Sequence, residues 1–261
     1  MKRLSLVAAL AAALVCGTAG SVTPAQAHIK NVVLVHGAFA DGSGWAAVAK
    51  SLEKDGYTVS IVQPPETSYA DDVKYTKAAI AAMDGPVVLV GHSYGGSIIT
   101  EAGNDPKAVA LVYIAAFAPD VGESAGSIEQ VIPPATTAIH PDSLGNFFID
   151  QAHFAADFAA DVPPAMAKLM AQSQVPISKD SFTGKITNPA WKTKPSWYMV
   201  ATEDRSINPD NERRMAKRAN ATTVEVKASH VAYISHPHET VELIEKAATS
   251  AASAASATAS R

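Results

Sequence analysis

Short apolar runs alternate with longer amphipathic stretches along most of this chain. The runs are rich in valine and isoleucine, which is typical of buried strands in a parallel sheet. The predicted strands are residues 31–36, 57–62, 87–90, 108–115, 197–201 and 223–226. The predicted helices are residues 45–54, 70–83, 209–220 and 237–248, together with one that begins near Tyr94. This alternation predicts an α/β fold with a mostly parallel sheet of about six strands flanked by helices.

The middle of the chain, residues 120–190, breaks this rhythm. It contains several prolines, short amphipathic pieces at 147–158 and 164–171, and no clear strand pattern. We therefore predict a helical cap inserted into a core made of residues 28–119 and 191–248. The alanine- and serine-rich tail, residues 249–261, is expected to fray or to extend the last helix.

The first 27 residues have the layout of a secretory signal peptide. Lys2 and Arg3 precede an apolar stretch at 4–15, and small residues follow up to Ala-Gln-Ala at 25–27. This pattern predicts cleavage after residue 27 and export to the periplasm or the medium. A lipoprotein built on Cys16 is the alternative interpretation.

Composition narrows the possible chemistry further. Cys16 is the only cysteine, so a chain cleaved after residue 27 has no disulfide, thiolate metal site or cysteine nucleophile. The formal net charge of −4 does not favour nucleic acid or an anionic membrane as a partner. No later segment offers about 20 uninterrupted apolar residues, so we expect no stable membrane association. The oligomeric state is left open.

A Gly-x-Ser-x-Gly element follows the predicted strand at 87–90. Gly91 and Gly95 flank Ser93, and a helix is predicted to begin near Tyr94. A strand, a tight turn with small residues around one serine, and a helix together describe a nucleophile elbow. Ser93 is the predicted nucleophile.

A serine nucleophile needs a base and an acid that orients the base. His230 follows the last predicted strand and Asp204 follows the strand before it, which gives the chain order serine, acid, histidine. We predict Asp204 and His230 as the acid and the base. Asp120 after the fourth strand is the rival acid, and Glu203 and Asp210 are weaker ones.

The oxyanion of an acyl-transfer reaction needs backbone donors that already point towards it. The Tyr94 N–H at the start of the elbow helix is one predicted donor. The glycine-rich loop at 36–45 is expected to supply the second, from Ala38 or alternatively from Phe39.

These motifs resemble the α/β-hydrolase superfamily, and within it the branch of plant methyl-ester esterases and hydroxynitrile lyases. The resemblance covers nearly all of the chain after residue 27 and rests on His-Gly-Ala at 36–38, Gly-His-Ser-Tyr-Gly-Gly at 91–96, the spacing from Asp204 to Pro209 and Ser-His-Val at 229–231. It implies the α/β-hydrolase fold and a Ser-Asp-His triad.

The same resemblance separates two reactions that share this triad. Members that cleave cyanohydrins typically carry threonine where Gly37 stands, and lysine directly after the catalytic histidine, where this chain has Val231. Without that positive charge the departure of cyanide lacks electrostatic support. The resemblance therefore implies ester hydrolysis.

We predict a serine hydrolase that cleaves carboxylic esters of small to medium apolar substrates through an acyl-enzyme. No metal or organic cofactor is expected, because the triad supplies its own nucleophile, acid and base. A lactonase, perhydrolase or cofactor-free lyase on the same triad, and a ligand-binding receptor, stay open as alternatives. The predicted pocket residues are Phe39, Phe117, Phe147, Phe148, Phe154, Met166 and Trp191.

Overall fold

A parallel sheet forms the centre of the computed structural model, which describes residues 28–259. The signal peptide predicted at 1–27 lies outside the described residues. The strands are β1 (Asn31–Val35), β2 (Thr58–Val62), β3 (Val87–Ser93), β4 (Ala108–Ala116), β5 (Ile139–Pro141), β6 (Phe147–Ile149), β7 (Ser196–Ala201) and β8 (Thr222–Val226). Six of them form the main sheet, in the order β2-β1-β3-β4-β7-β8, with every pair parallel. This confirms the predicted α/β architecture.

The central strands are apolar on both faces because helices cover both sides of a parallel sheet. Strands β1, β3 and β7 are buried along their whole length, whereas the residues of the edge strands β2 and β8 are mostly half-buried or exposed. Strand β3 runs three residues beyond its predicted end at 90, because its ladder with β4 continues as far as the pair Ser93 and Ala116. That extension carries Ser93 to the carboxyl edge of the sheet.

Helices follow most strands of the main sheet. They are α1 (Ala46–Lys54), α2 (Tyr69–Ala82), α3 (Tyr94–Ala102), α4 (Ala125–Glu129), α5 (Gln151–Asp157), α6 (Pro164–Ser173), α7 (Lys179–Thr183), α8 (Pro209–Arg218), α9 (Ala232–Ser235) and α10 (Pro237–Ala259). Helices α1 and α10 pack against each other and against the sheet, and α2 packs against α3. Elements α4 to α7 lie between β4 and β7, where the cap was predicted.

The cap contains a strand pair that the sequence pattern did not predict. Strands β5 and β6 form an antiparallel hairpin, and Phe147 also bridges to Ile177. The helix predicted over 147–158 therefore begins at Gln151, where the Asp150 side chain accepts the Ala152 N–H at 2.9 Å. The pairing of such short strands depends on tertiary contacts, which periodicity does not report.

The last helix is longer than the predicted 237–248. Helix α10 continues to Ala259 through the alanine-rich tail. Alanine is the strongest helix former, so the helix carries on once the preceding turns are packed on the sheet. Of the two behaviours expected for the tail, the described residues show the helical extension.

Candidate active site

Ser93 occupies a strained turn between β3 and α3. Its backbone has φ 52° and ψ −124°, a region that residues other than glycine rarely adopt. A Cβ atom added to Gly91 would lie 2.6 Å from the Gly95 carbonyl oxygen, and one added to Gly95 would lie 2.6 Å from the carbonyl oxygens of Val35 and His36. The turn therefore has no room for side chains at these two positions, as the elbow motif predicted.

The three residues predicted to form the triad lie within hydrogen-bond distance of one another. The Ser93 Oγ is 2.8 Å from the His230 Nε2, and the His230 Nδ1 is 2.5 Å from the Asp204 Oδ2. The other carboxylate oxygen of Asp204 accepts the backbone N–H groups of Ser206 at 2.7 Å and Ile207 at 2.9 Å. With the Nδ1 proton donated to Asp204, the Nε2 atom of His230 is free to accept the Ser93 proton.

The rival acids are engaged elsewhere. Asp120 lies 2.5 Å from the Lys192 ammonium, Glu203 lies 3.6 Å from that of Lys227, and Asp210 pairs with Arg213 at 2.9 Å. None of these carboxylates contacts His230 in the described part of the chain. The geometry therefore favours Asp204 as the acid of this site.

Two backbone N–H groups are placed to bind an oxyanion beside Ser93. Tyr94 is the first residue of α3, so its N–H has no partner within the helix and lies at the positive end of the helix dipole. The Ala38 N–H has no protein acceptor among residues 28–259, and Ala38 lines the same cavity as Ser93. The N–H of Phe39, the alternative donor, is engaged elsewhere: it donates to the Val175 carbonyl of the cap at 3.2 Å, which favours Ala38.

The position of Gly37 explains why a side chain is excluded there. A Cβ atom at Gly37 would lie 2.5 Å from the Ser93 Cβ and 2.8 Å from the His92 carbonyl oxygen. The threonine of cyanohydrin-cleaving enzymes therefore does not fit this backbone. Val231 is fully buried, so a lysine in its place would bury a charge. Both positions disfavour the lyase alternative.

His92 and Glu212 support the triad from the side of the core. The His92 Nε2–H donates to the His230 backbone carbonyl at 2.9 Å, and complete burial lowers the pKa of His92 well below its usual value, so the ring is neutral. Glu212 accepts the Ala201 N–H at 3.0 Å. Burial, followed by the charge of Asp204, raises the pKa of Glu212 well above its usual value.

Two cap carboxylates hold the loops that carry Asp204 and His230. Asp161 accepts both the backbone N–H and the hydroxyl of Ser229, the residue before His230. Asp157 pairs with Arg205 at 2.8 Å, and its backbone carbonyl accepts the Ser206 hydroxyl at 2.9 Å. Although burial acts to raise the pKa of Asp157, hydrogen bonds from Arg205 and Thr136 outweigh it and lower that pKa. The cap is therefore bonded directly to the acid and base loops.

A cavity of about 250 Å³ opens onto the triad between the core and the cap. Its walls are mostly apolar and include aromatic rings from both parts. Its lining residues are Ala38, Phe39, Ser93, Tyr94, Phe117, Glu129, Pro134, Thr136, Thr137, Ile139, Phe147, Phe158, Phe182, Ser206, Ile207 and His230. Three of the predicted pocket residues, Phe39, Phe117 and Phe147, are among them.

The other four predicted pocket residues lie outside this cavity. Phe154 is fully buried and packs on Phe158, with 4.8 Å between the ring centroids. Trp191 donates its indole N–H to the Pro119 carbonyl at 2.9 Å. Met166 lines a second cavity, between α6 and the segment that leads into α1. Phe148 neighbours Phe147 on β6, where successive side chains point to opposite faces.

Several lining residues escaped the sequence reasoning. Ser206 and Ile207 lie two and three residues after Asp204, so their place in the predicted acid loop was a signal that could have found them. Phe158, Phe182 and Glu129 come from cap elements whose orientation the sequence does not fix.

In residues 28–259, no group of three or more His, Cys, Asp or Glu side chains is placed to hold a metal ion. No helix of this described part is long and apolar enough to cross a membrane.

Comparisons with known proteins show the family and the fold of this chain. The family model described as "Alpha/beta hydrolase family" matches residues 32–243. A pyrethroid hydrolase from Sphingobium wenxiniae is 28% identical, with 83% of this chain and 86% of the relative covered. The esterase PIR7B from Oryza sativa subsp. japonica is 26% identical, over 84% of this chain and 96% of the relative.

A solved structure shares the fold. The crystal structure of a pyrethroid hydrolase from Sphingobium faniae JZ-2 superposes with a TM-score of 0.71 at 22% identity, covering 84% of this chain and 96% of that one. At this identity the likeness concerns the fold alone.

Proposed function

This chain belongs to the α/β hydrolase family, and we propose that it hydrolyses carboxylic esters of small to medium apolar substrates through a covalent acyl-enzyme. The observation that carries the proposal is the unbroken chain of contacts from Ser93 through His230 to Asp204, opening on an apolar cavity. The esterase relative supports the same reaction.

In the first half of the reaction, His230 Nε2 takes the Ser93 hydroxyl proton while Oγ attacks the ester carbonyl carbon. The negative charge that develops on the carbonyl oxygen is stabilised by the N–H groups of Ala38 and Tyr94. His230 then returns the proton to the leaving alkoxide, and the bond between the acyl carbon and the alcohol oxygen breaks. Ser93 is left acylated.

In the second half, water replaces the alcohol. His230 deprotonates the water, the hydroxide oxygen attacks the acyl carbon, and a second oxyanion forms in the same place. Collapse of this intermediate releases the carboxylic acid and returns the proton to Ser93. Asp204 keeps the imidazole in the required tautomer and stabilises the imidazolium in both halves.

The size and lining of the cavity support the proposed substrate class. A volume of about 250 Å³ with phenylalanine rings on several sides suits a compact apolar group better than a polymer. The ring of Phe158 lies 4.9 Å from that of His230, so apolar surface reaches the reacting atoms themselves.

Labelling with a fluorophosphonate tests the mechanism directly. We expect one covalent adduct, mapped by mass spectrometry to the peptide with Ser93, because only an activated serine displaces fluoride from phosphorus. We expect aryl esters of increasing acyl length to show kcat/KM peaking at short to medium chains. A protein that neither labels nor turns over any aryl ester would contradict the proposal and favour a receptor.

We also propose that the protein is exported. Support comes from the basic, apolar and small-residue segments of residues 1–27. Expression of the full sequence in a bacterium is expected to yield periplasmic or secreted protein whose first residue, by N-terminal sequencing, is His28. Recovery of cytoplasmic protein that retains the leader would count against export.

A further inference from the structure

One cavity residue has no place in the ester mechanism. Glu129, at the end of α4, lines the cavity that contains Ser93 and His230. Its carboxylate has no hydrogen-bond or ion-pair partner among residues 28–259. The carboxylate of Asp204, by contrast, is fully engaged with His230, Ser206 and Ile207. Glu129 is therefore the free acidic group of the cavity.

The short helix that carries Glu129 is firmly held. Ser124 and Ser127 form a capping box at its start, and the side-chain amide of Asn211 donates to the Ile132 carbonyl just beyond its end at 2.7 Å. Glu129 itself is half-buried, and its carboxylate has no donor from the described residues, so only water or a ligand in the cavity can solvate it. The carboxylate is therefore open to a cationic group that enters the cavity.

Aromatic rings line the same cavity as Glu129. Gly126, one turn before Glu129 on the same helix face, lies against the Phe182 ring: a Cβ added to it would be 3.3 Å from that ring. The Phe182 ring makes an edge contact with Phe117 at 6.3 Å and a tilted contact with Phe147 at 6.1 Å. Phenylalanine faces attract cations, above all alkylated ammonium groups.

The charge balance of the cavity points in the same direction. No lysine or arginine belongs to the described residues that line it, so no cationic side chain of the cavity wall pairs with Glu129. Burial, followed by the charge of Asp204, raises the pKa of Glu129 to about 8. A cation bound beside Glu129 would favour the ionised carboxylate and lower this pKa.

We propose that Glu129 and the surrounding phenylalanine rings form a cation-binding subsite, and that the preferred esters carry a protonated amine or quaternary ammonium group on one arm. The proposal rests on the proposed ester hydrolysis and specifies its substrate class. The apolar remainder of the substrate would occupy the rest of the cavity.

The sharpest test compares esters that have the same shape and differ in charge. The acetate esters of choline and of 3,3-dimethylbutanol differ only in the central atom of the bulky group, which is a charged nitrogen in one and a neutral carbon in the other. Homologues with longer spacers vary the distance between the ester and the group that would contact Glu129. We expect kcat/KM to be about tenfold or more higher for the cationic member of the best pair. Choline and 3,3-dimethylbutanol are also compared as inhibitors of aryl ester hydrolysis, which requires no turnover of the paired esters.

Substitutions of Glu129 test whether a preference for the cationic ester depends on its carboxylate. In Glu129→Gln the ratio of cationic to neutral kcat/KM is expected to fall to about one, and in Glu129→Asp part of it is expected to return. Asp180→Asn removes an exposed carboxylate from α7, outside the cavity, and is expected to keep the wild-type ratio. Partial loss of folding would lower the apparent kcat/KM for both esters by the same factor and leave their ratio unchanged.

The outcomes separate the two proposals. A wild-type protein that hydrolyses aryl esters but shows no preference for the cation in either turnover or inhibition would overturn the subsite alone. A preference that is the same in Glu129→Gln would also overturn it. Failure of ester hydrolysis itself would appear as absent turnover of the aryl ester and absent labelling of Ser93.

Discussion

Replacing Ser93 with alanine is expected to lower kcat for ester hydrolysis by about 10⁵- to 10⁶-fold, because no other group can form the acyl-enzyme. The residual rate comes from the oxyanion donors and from binding alone. Ester hydrolysis at high enzyme concentration measures it, with thermal unfolding as the check on folding. Retention of more than a tenth of the wild-type rate would contradict the assignment of Ser93.

A matched serine in the helix that follows Ser93 separates loss of the nucleophile from loss of a hydroxyl group. Ser97 lies in α3, is buried, and has an Oγ atom without a hydrogen-bond partner. Ser97→Ala makes the identical chemical change one turn further on, and we expect wild-type turnover within about twofold. An equal loss in both variants would indicate damage to the elbow as a whole.

The backbone of Ser93 adds a prediction about stability in the same experiment. With φ at 52° the serine is strained, whereas glycine adopts such geometry freely. Ser93→Gly is expected to be as inactive as Ser93→Ala but more stable than it by about 1 kcal/mol. Equal or lower unfolding temperature of the glycine variant would mean that the turn stores no strain of this kind.

The sheet could be predicted from the chain because its signal is local. Strands buried on both faces appear as continuous apolar runs, and each predicted strand of the main sheet differs from the structure only at its ends. The extension of β3 to Ser93 was missed because ladder pairing with β4, rather than apolar character, maintains the strand there.

The triad was predictable for a related reason. In an open α/β sheet the carboxyl ends of the strands face one crevice, so residues that follow different strands meet there. Ser93 ends β3, Asp204 follows β7 and His230 follows β8. Their positions along the chain therefore indicated a shared site before any distance was known.

The cap resisted prediction because its contacts are tertiary. The hairpin of β5 and β6 has strands of three residues, too short for periodicity to reveal. Helical spacing likewise could not show that Phe158 faces the cavity while Phe154 packs behind it. Glu129 had no motif around it, and only its position in the folded cavity distinguishes it from a surface carboxylate.

Replacing Asp204 with asparagine is expected to lower kcat about 10⁴-fold while leaving the fold intact. The asparagine oxygen can still accept the N–H groups of Ser206 and Ile207, which preserves the loop. Its amide group, however, would donate to the His230 Nδ1 and so place the ring proton on Nε2, the atom that must accept the proton of Ser93. The loss is measured as kcat with thermal unfolding alongside.

Asp120 provides the matched control for this substitution. Asp120→Asn breaks only an ion pair with Lys192 in which both side chains are partly exposed, and such pairs contribute at most about 1 kcal/mol to stability. We therefore expect turnover within about twofold of wild type. If Asp120→Asn abolished activity and Asp204→Asn did not, the acid of the triad would come from the loop after β4, and His230 would have to turn away from Asp204 during the reaction. The 2.5 Å contact between the His230 Nδ1 and the Asp204 Oδ2 favours the opposite result.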